Sequence, residues 1–144
     1  MKQILLFLLA GILPVFSFTQ DADKMKNGIS CNGQKDSTEV KITIFLEGPY
    51  YLGKMTTELN KKGLIPLSQP YNVPPWNYAG TESVSTIPNT HIVDWVLVDI
   101  RSADSAGSAT SETIFAKKAG FLMDNGTIMN PDGETLLTFD TAFS

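Results

Sequence analysis

The chain has 144 residues, 42% hydrophobic and 18% charged, which is the composition of one ordinary globular domain. Eleven Lys and Arg against fifteen Asp and Glu give a net charge of −4, and this argues against nucleic acid as a partner because phosphate contacts need a concentrated positive surface. A single Cys and a single His exclude an internal disulfide framework, a cysteine-rich zinc site and a multi-histidine metal centre.

Met1-Lys2-Gln3 is a short positive start, and Ile4 to Phe18 is apolar except at Gly11, Pro14 and Ser17. Residues 1–20 are therefore expected to be a secretory signal peptide, cut near Thr19 or Gln20. The run is shorter than a spanning helix requires and contains a proline, so no transmembrane segment is expected in the mature chain. Residues 21–38 hold Asn27-Gly28 and Asn32-Gly33 but only Met25 and Ile29 as clearly apolar residues. They read as a flexible leader, too polar to order itself. Cys31 is expected to be a free thiol within it. Gly28-Ile29-Ser30-Cys31 has the look of a lipoprotein box, but Asp21, Asp23, Lys24 and Lys26 separate it from the apolar run, which argues against lipidation.

Residues 39–144 are expected to fold. From Glu39 to Glu47, Val40, Ile42, Ile44 and Leu46 alternate with Lys41, Thr43 and Glu47, the pattern of a half-buried strand. Gly48-Pro49 should end it. Met55 to Lys62 fits one or two helical turns capped at Thr56 or Thr57 and stopped by Gly63. Leu64 to Pro88 shows no periodicity and contains five prolines with Tyr71, Trp76 and Tyr78 between them. A loop of that length is usually functional or packed by its own side chains.

His91 to Arg101 is the strongest strand. Its middle, Trp95 to Val98, is apolar on both faces, as in a strand covered on both sides. Asp99 and Arg101 share a face and lie close enough to pair. Ser102 to Ser111 reads as a surface loop, and Thr113 to Met123 as a strand with a bulge near Gly120. Asp124-Asn125-Gly126 is a hairpin turn. Thr127 to Met129 returns, Asn130-Pro131-Asp132-Gly133 turns again, and Thr135 to Phe139 makes a final strand. The expected fold is all-β, an antiparallel β-sandwich with one long Pro- and aromatic-rich loop.

No nucleophile, base or metal arrangement has useful spacing. His91 stands at a strand entry without an elbow or triad pattern, so a surface role is preferred to a catalytic one. Asp124, Asn125, Asp132 and Glu134 crowd two turns and are oxygen donors of the kind calcium takes. The twelve-residue calcium-loop register is absent, however, and turn geometry alone favours these residues. Gln69 to Tyr78 (Gln-Pro-Tyr-Asn-Val-Pro-Pro-Trp-Asn-Tyr) is the most distinctive stretch. Tyr71, Trp76 and Tyr78 with Asn72 and Asn77 would suit a sugar platform, rings stacking on apolar sugar faces while amides bond hydroxyls. The preferred alternative is a loop that folds its aromatics onto the sheet to seal the core.

The loop and the strands around it resemble a segment of large secreted surface proteins of Bacteroidota, described as haemagglutinin-like or adhesin-like and often linked to type IX secretion. The matching blocks include Phe45-Leu46-Glu47-Gly48-Pro49-Tyr50, Leu64 to Asn72, Pro75-Trp76-Asn77-Tyr78, Gly80-Thr81-Glu82, Val93-Asp94-Trp95-Val96-Leu97-Val98 and Asp132-Gly133. The resemblance spans nearly all of residues 40–140 and implies secretion and surface association rather than an activity. It also implies one more strand, rich in Val and Tyr, and a sorting domain, neither of which follows Ser144. The expectation is a secreted, non-enzymatic adhesion or display module without a cofactor, its partner a glycan or another surface protein. The alternative is a carbohydrate-binding module using the 69–78 loop.

Overall fold

The computed structural model describes the strand at residues 3–9 and residues 37–140. The expected cleavage point, Cys31 and residues 21–36 of the leader expected over 21–38 lie outside the described residues. The strands are β1 (Gln3–Leu9), β2 (Thr38–Glu39), β3 (Tyr50–Tyr51), β4 (Lys54–Met55), β5 (Ile92–Ala103), β6 (Ile114–Met123), β7 (Ile128–Met129) and β8 (Thr138–Phe139). One helical turn, α1 (Glu58–Lys61), precedes β5, and two 3-10 turns at Ala106–Ser108 and Ser111–Thr113 precede β6. The protein is thus mostly strand with little helix, arranged in small antiparallel sheets: β1-β5-β6-β7, β2-β8 and β3-β4.

The β5–β6 pair is the frame, and the sequence explains why. Ile92 to Ile100 is apolar at nearly every position, and an apolar run of this kind needs cover on both faces. Val96, Val98 and Ile100 pack on one face with Leu122, Ile128, Leu137 and Phe139, and Val40, Ile42, Ile44 and Leu46 lie against that cluster. Trp95 and Leu97 point the other way and pack with Ala119, Phe121, Ile65 and Tyr71. The second face is therefore roofed by the long loop.

The alternation expected over 39–47 is present as burial, with Val40, Ile42, Ile44 and Leu46 half-buried and Lys41, Thr43 and Phe45 exposed. Its regular ladder is shorter than expected. Only β2 pairs with β8 as a strand, and beyond it the Val40 N–H donates to Leu137 O (2.8 Å), Thr43 bridges Thr127 and the Ile44 N–H donates to Gly126 O (2.9 Å). The last strand is likewise confined to Thr138–Phe139, with Leu136 bridging Met129. Gly126 meets two demands at once. Its φ is +86°, and a Cβ there would stand 2.6 Å from Ile44 O, a conformation and a clearance that only glycine supplies.

Two expectations are corrected. The bulge is not at Gly120, which pairs directly with Val96; the register instead slips at Val93, between Ile92 and Asp94, and at Phe115, opposite Ile100 and Arg101. Glycine stands at 120 for clearance, since a Cβ there would lie 2.5 Å from Met129 O and 2.9 Å from Leu137 Cδ1. The loop after β5 starts later than Ser102, because the strand runs to Ala103 before the 3-10 turns begin. Gly48-Pro49 falls in the turn at 47–49 that closes the extended 39–46 segment, as expected; beyond it β3 and β4 add an unexpected hairpin whose turn residues Leu52 and Gly53 both have positive φ, 47° and 88°, the conformation of a type I′ turn.

Residues 3–9, expected as part of the signal peptide, form β1 and pair antiparallel with Leu97–Ala103 of β5. Among the described residues no helix is long and apolar enough to cross a membrane.

Candidate functional site

The loop over 64–88 is tied at its neck before it presents any aromatic side chain. Ser68 bridges Ser83, the Gln69 N–H donates to Glu82 O (3.0 Å) and the Val84 N–H donates to Leu67 O (2.8 Å). Gln69 is buried and bonds both ways, its Nε2 donating to Gly80 O (2.8 Å) and its Oε1 accepting from the Tyr71 N–H (2.6 Å). Above this neck the Trp76 and Asn77 N–H groups both donate to Val73 O, and the Pro74–Pro75 bond is cis.

The five candidate residues separate into two groups. Tyr71 is 8% exposed, and its hydroxyl donates to Trp95 O at 2.7 Å. Burial first, and the charge of Asp94 second, push its phenol pKa well above the ordinary tyrosine range. Its ring has no free face to offer a ligand. Trp76 is half-buried and packs edge-on to Tyr71 with ring centroids 5.5 Å apart. Tyr78 is also half-buried. Its hydroxyl donates to Glu82 Oε1 (2.6 Å) and reaches Lys117 O (3.3 Å). Burial, then the hydrogen bond and charge of Glu82, push this phenol up as well. Asn72 and Asn77 are exposed on the outer rim. The structure thus brings Tyr71, Trp76 and Tyr78 together against the β5–β6 face and leaves the two amides in solvent.

Residues outside the candidate set hold this arrangement. Trp95 donates through Nε1 to Pro66 O (2.8 Å) and lies 4.0 Å from the Phe121 ring, so the indole clamps the loop to the sheet. Glu82 Oε1 also accepts from the Ala119 N–H (3.3 Å). Two polar atoms at this layer, Trp76 Nε1 and Glu82 Oε2, are buried without a hydrogen-bond partner among the described residues. Gln69 and Glu82 carry no warning in sequence beyond being polar residues near prolines. Their roles depend on the loop's closure and not on local pattern.

Several other titratable groups are bonded within the fold. His91 is exposed, with Nδ1 3.1 Å from Asp124 Oδ2, and Lys54 lies 3.8 Å from the same oxygen. Asp99 and Arg101 pair as expected, at 3.2 Å, with side chains 3% and 14% exposed. The turn carboxylates do turn work: Asp132 accepts from the Glu134 and Thr135 N–H groups and the Thr135 hydroxyl, and Asn125 accepts from the Thr127 N–H. No group of three or more His, Cys, Asp or Glu side chains suited to a metal ion occurs among the described residues. A separate half-open cleft of about 230 Å³ lies away from the loop, between Leu46, Pro49, Leu59 and Val93, with Glu58 and Asp94 at its wall. Burial pushes the Asp94 carboxyl up, against a hydrogen bond from the Trp95 N–H that pulls it down.

No family model, curated protein or solved structure matches the chain.

Proposed function

We propose that the chain is a secreted, non-enzymatic module that acts outside the cell or at its surface, in adhesion or display. The observation that carries this reading is the amino terminus, where one Lys precedes an apolar run from Ile4 to Phe18 that gives way to charge only at Asp21, the pattern of an export signal. The resemblance to Bacteroidota surface proteins points the same way. Two pairs of side chains able to do acid–base work are occupied with one another, Tyr78 with Glu82 and Asp99 with Arg101, which supports a binding or structural role over catalysis. Within this reading residues 39–144 form an antiparallel β-sandwich, supported by the apolar clusters on opposite faces of β5–β6. N-terminal sequencing of the exported protein tests the reading. A start near Gln20 or Asp21 is expected, and intact Met1 confined to the cytosol overturns it.

A second reading, a carbohydrate-binding module, is favoured by one feature: a half-exposed Trp76 and Tyr78 flanked by the exposed amides of Asn72 and Asn77. Rings supply stacking and amides supply hydroxyl contacts. Glycan-array binding that disappears in Trp76→Ala without a change in melting temperature is the expected result. An array without binding by the unaltered protein removes this reading.

A further inference from the structure

β5 is paired on both sides, with β6 over Ile92–Arg101 and with β1 over Leu97–Ala103. The second partner belongs to the residues read as a signal peptide. The present inference rests on that reading, since removal of residues 1–20 would strip β1 from the sheet. Seven residues of β5, Leu97–Ala103, would then present an open row of N–H and C=O groups, a template for pairing with another chain. We propose that in the exported protein this edge pairs with the same edge of a second copy, β5 against β5, antiparallel about a two-fold axis at Ile100.

Geometry and charge both select that arrangement. The vacated stretch runs from Leu97 to Ala103 and has Ile100 at its centre, so a two-fold axis there maps the open edge onto itself and fills all of it. Such self-complementary pairing is the requirement of a symmetric dimer. In this register Leu97 faces Ala103, Val98 faces Ser102, and Asp99 faces Arg101 of the second copy, twice over. Residues directly opposite in antiparallel strands have Cβ atoms about 5 Å apart, within reach of a carboxylate–guanidinium contact.

Asp99 is suited to receive it. Its side chain is 3% exposed, Oδ2 is held by its own Arg101 at 3.2 Å, and Oδ1 is buried with no hydrogen-bond partner among the described residues. Neighbouring registers are penalised. An axis at Asp99 sets two carboxylates face to face, an axis at Arg101 sets two guanidinium groups face to face, and a one-residue slip turns the apolar set of one copy to the wrong face. Charged residues on an edge ordinarily discourage pairing. Here the order Asp-Ile-Arg is attractive in one register and repulsive in the others.

The test uses the full chain, expressed and exported, collected under reducing conditions so that Cys31 cannot link copies. N-terminal sequencing, sedimentation equilibrium and hydrogen exchange are read on the same sample. A processed N-terminus, twice the monomer mass, and slow exchange over Leu97–Ala103 that is lost on dilution are expected. Arg101→Glu should weaken association at least tenfold, and mixing it with Asp99→Lys should restore a dimer, because each then offers the other opposite charges. A processed chain that is monomeric at every concentration overturns the pairing alone. So does a dimer whose Leu97–Ala103 amides exchange at the monomer rate, or protection of those amides in a monomer, which would mean the edge is filled from within one chain. An unprocessed N-terminus at Met1 instead defeats the export reading, and the pairing falls with it.

Discussion

Gly120→Ala separates two physical effects of opposite sign. In the interior of a strand, glycine is worse than alanine by about 0.5–1 kcal/mol because it loses more backbone freedom on folding, so propensity alone makes the substitution stabilising. The structure reverses this. The added methyl would sit 2.5 Å from Met129 O and 2.9 Å from Leu137 Cδ1, and the nearer atom belongs to the backbone of β7, which pairs with β6 at Phe121–Met129 and Leu122–Ile128. Room can be made only by moving β7 off β6 or distorting that short ladder. Overpacking of this kind costs about 1–3 kcal/mol, enough to outweigh the gain. A domain of about this size loses roughly 4–8 °C in melting temperature per kcal/mol. Thermal melting of Gly120→Ala beside Gly107→Ala, where an added Cβ meets nothing within 4 Å, provides the assay. The control should stay within about 0.5 kcal/mol of the unaltered protein. A Gly120→Ala protein as stable as the unaltered chain, or more stable, would refute the close-approach argument.

Other substitutions probe the loop and its anchor. Trp95→Ala removes a side chain that is 2% exposed, together with its bond to Pro66 O, and should cost about 3–5 kcal/mol in chemical denaturation; an unchanged midpoint would contradict the clamp. Tyr71→Phe keeps the ring but leaves Trp95 O without its donor, so a loss of about 1–3 kcal/mol is expected for the buried carbonyl. Asp94 gives a pH signature. Burial raises its pKa in the folded state, so the folded chain holds that proton more tightly than the unfolded one, and stability falls as pH climbs from the ordinary aspartate value through the folded value. In Asp94→Asn that decline should be shallower. Asp132 should behave oppositely. Its desolvation is outweighed by hydrogen bonds from Thr135 and Glu134 that hold its pKa down. It therefore contributes stability above the ordinary aspartate pKa that is lost as pH falls, and Asp132→Asn should flatten the acid limb of a stability–pH curve.

The strands that hold the core were legible because their patterns are strong. Ile92 to Ile100 is apolar on both faces, and the turns at Asn125-Gly126 and Asp132-Gly133 use residues that tolerate positive φ. What stayed hidden depends on contacts between distant segments. Nothing local in Tyr51-Leu52-Gly53-Lys54 marks a hairpin as an Asn-Gly pair would. Gly120 resembles a bulge residue in sequence, and only the position of Met129 O shows that clearance is its purpose. At the candidate site the aromatic spacing was visible, but which rings turn inward was not. That choice is made by Trp95, Gln69 and Glu82, which reach the loop only after the sheet has formed.

The hydrogen bond from Val40 to Leu137 O joins residues nearly a hundred positions apart. Closing a chain segment that long is entropically costly before any contact repays it, and structures governed by such distant pairings fold slowly. Val40, Ile42, Ile44 and Leu46 are made early in the growing chain, yet the cluster they cover includes Leu137 and Phe139. A ribosome delivering this polypeptide from its amino terminus would release this segment long before its partners exist. Assembly of that cluster would wait until Leu137 and the β8 residues Thr138–Phe139 have been made.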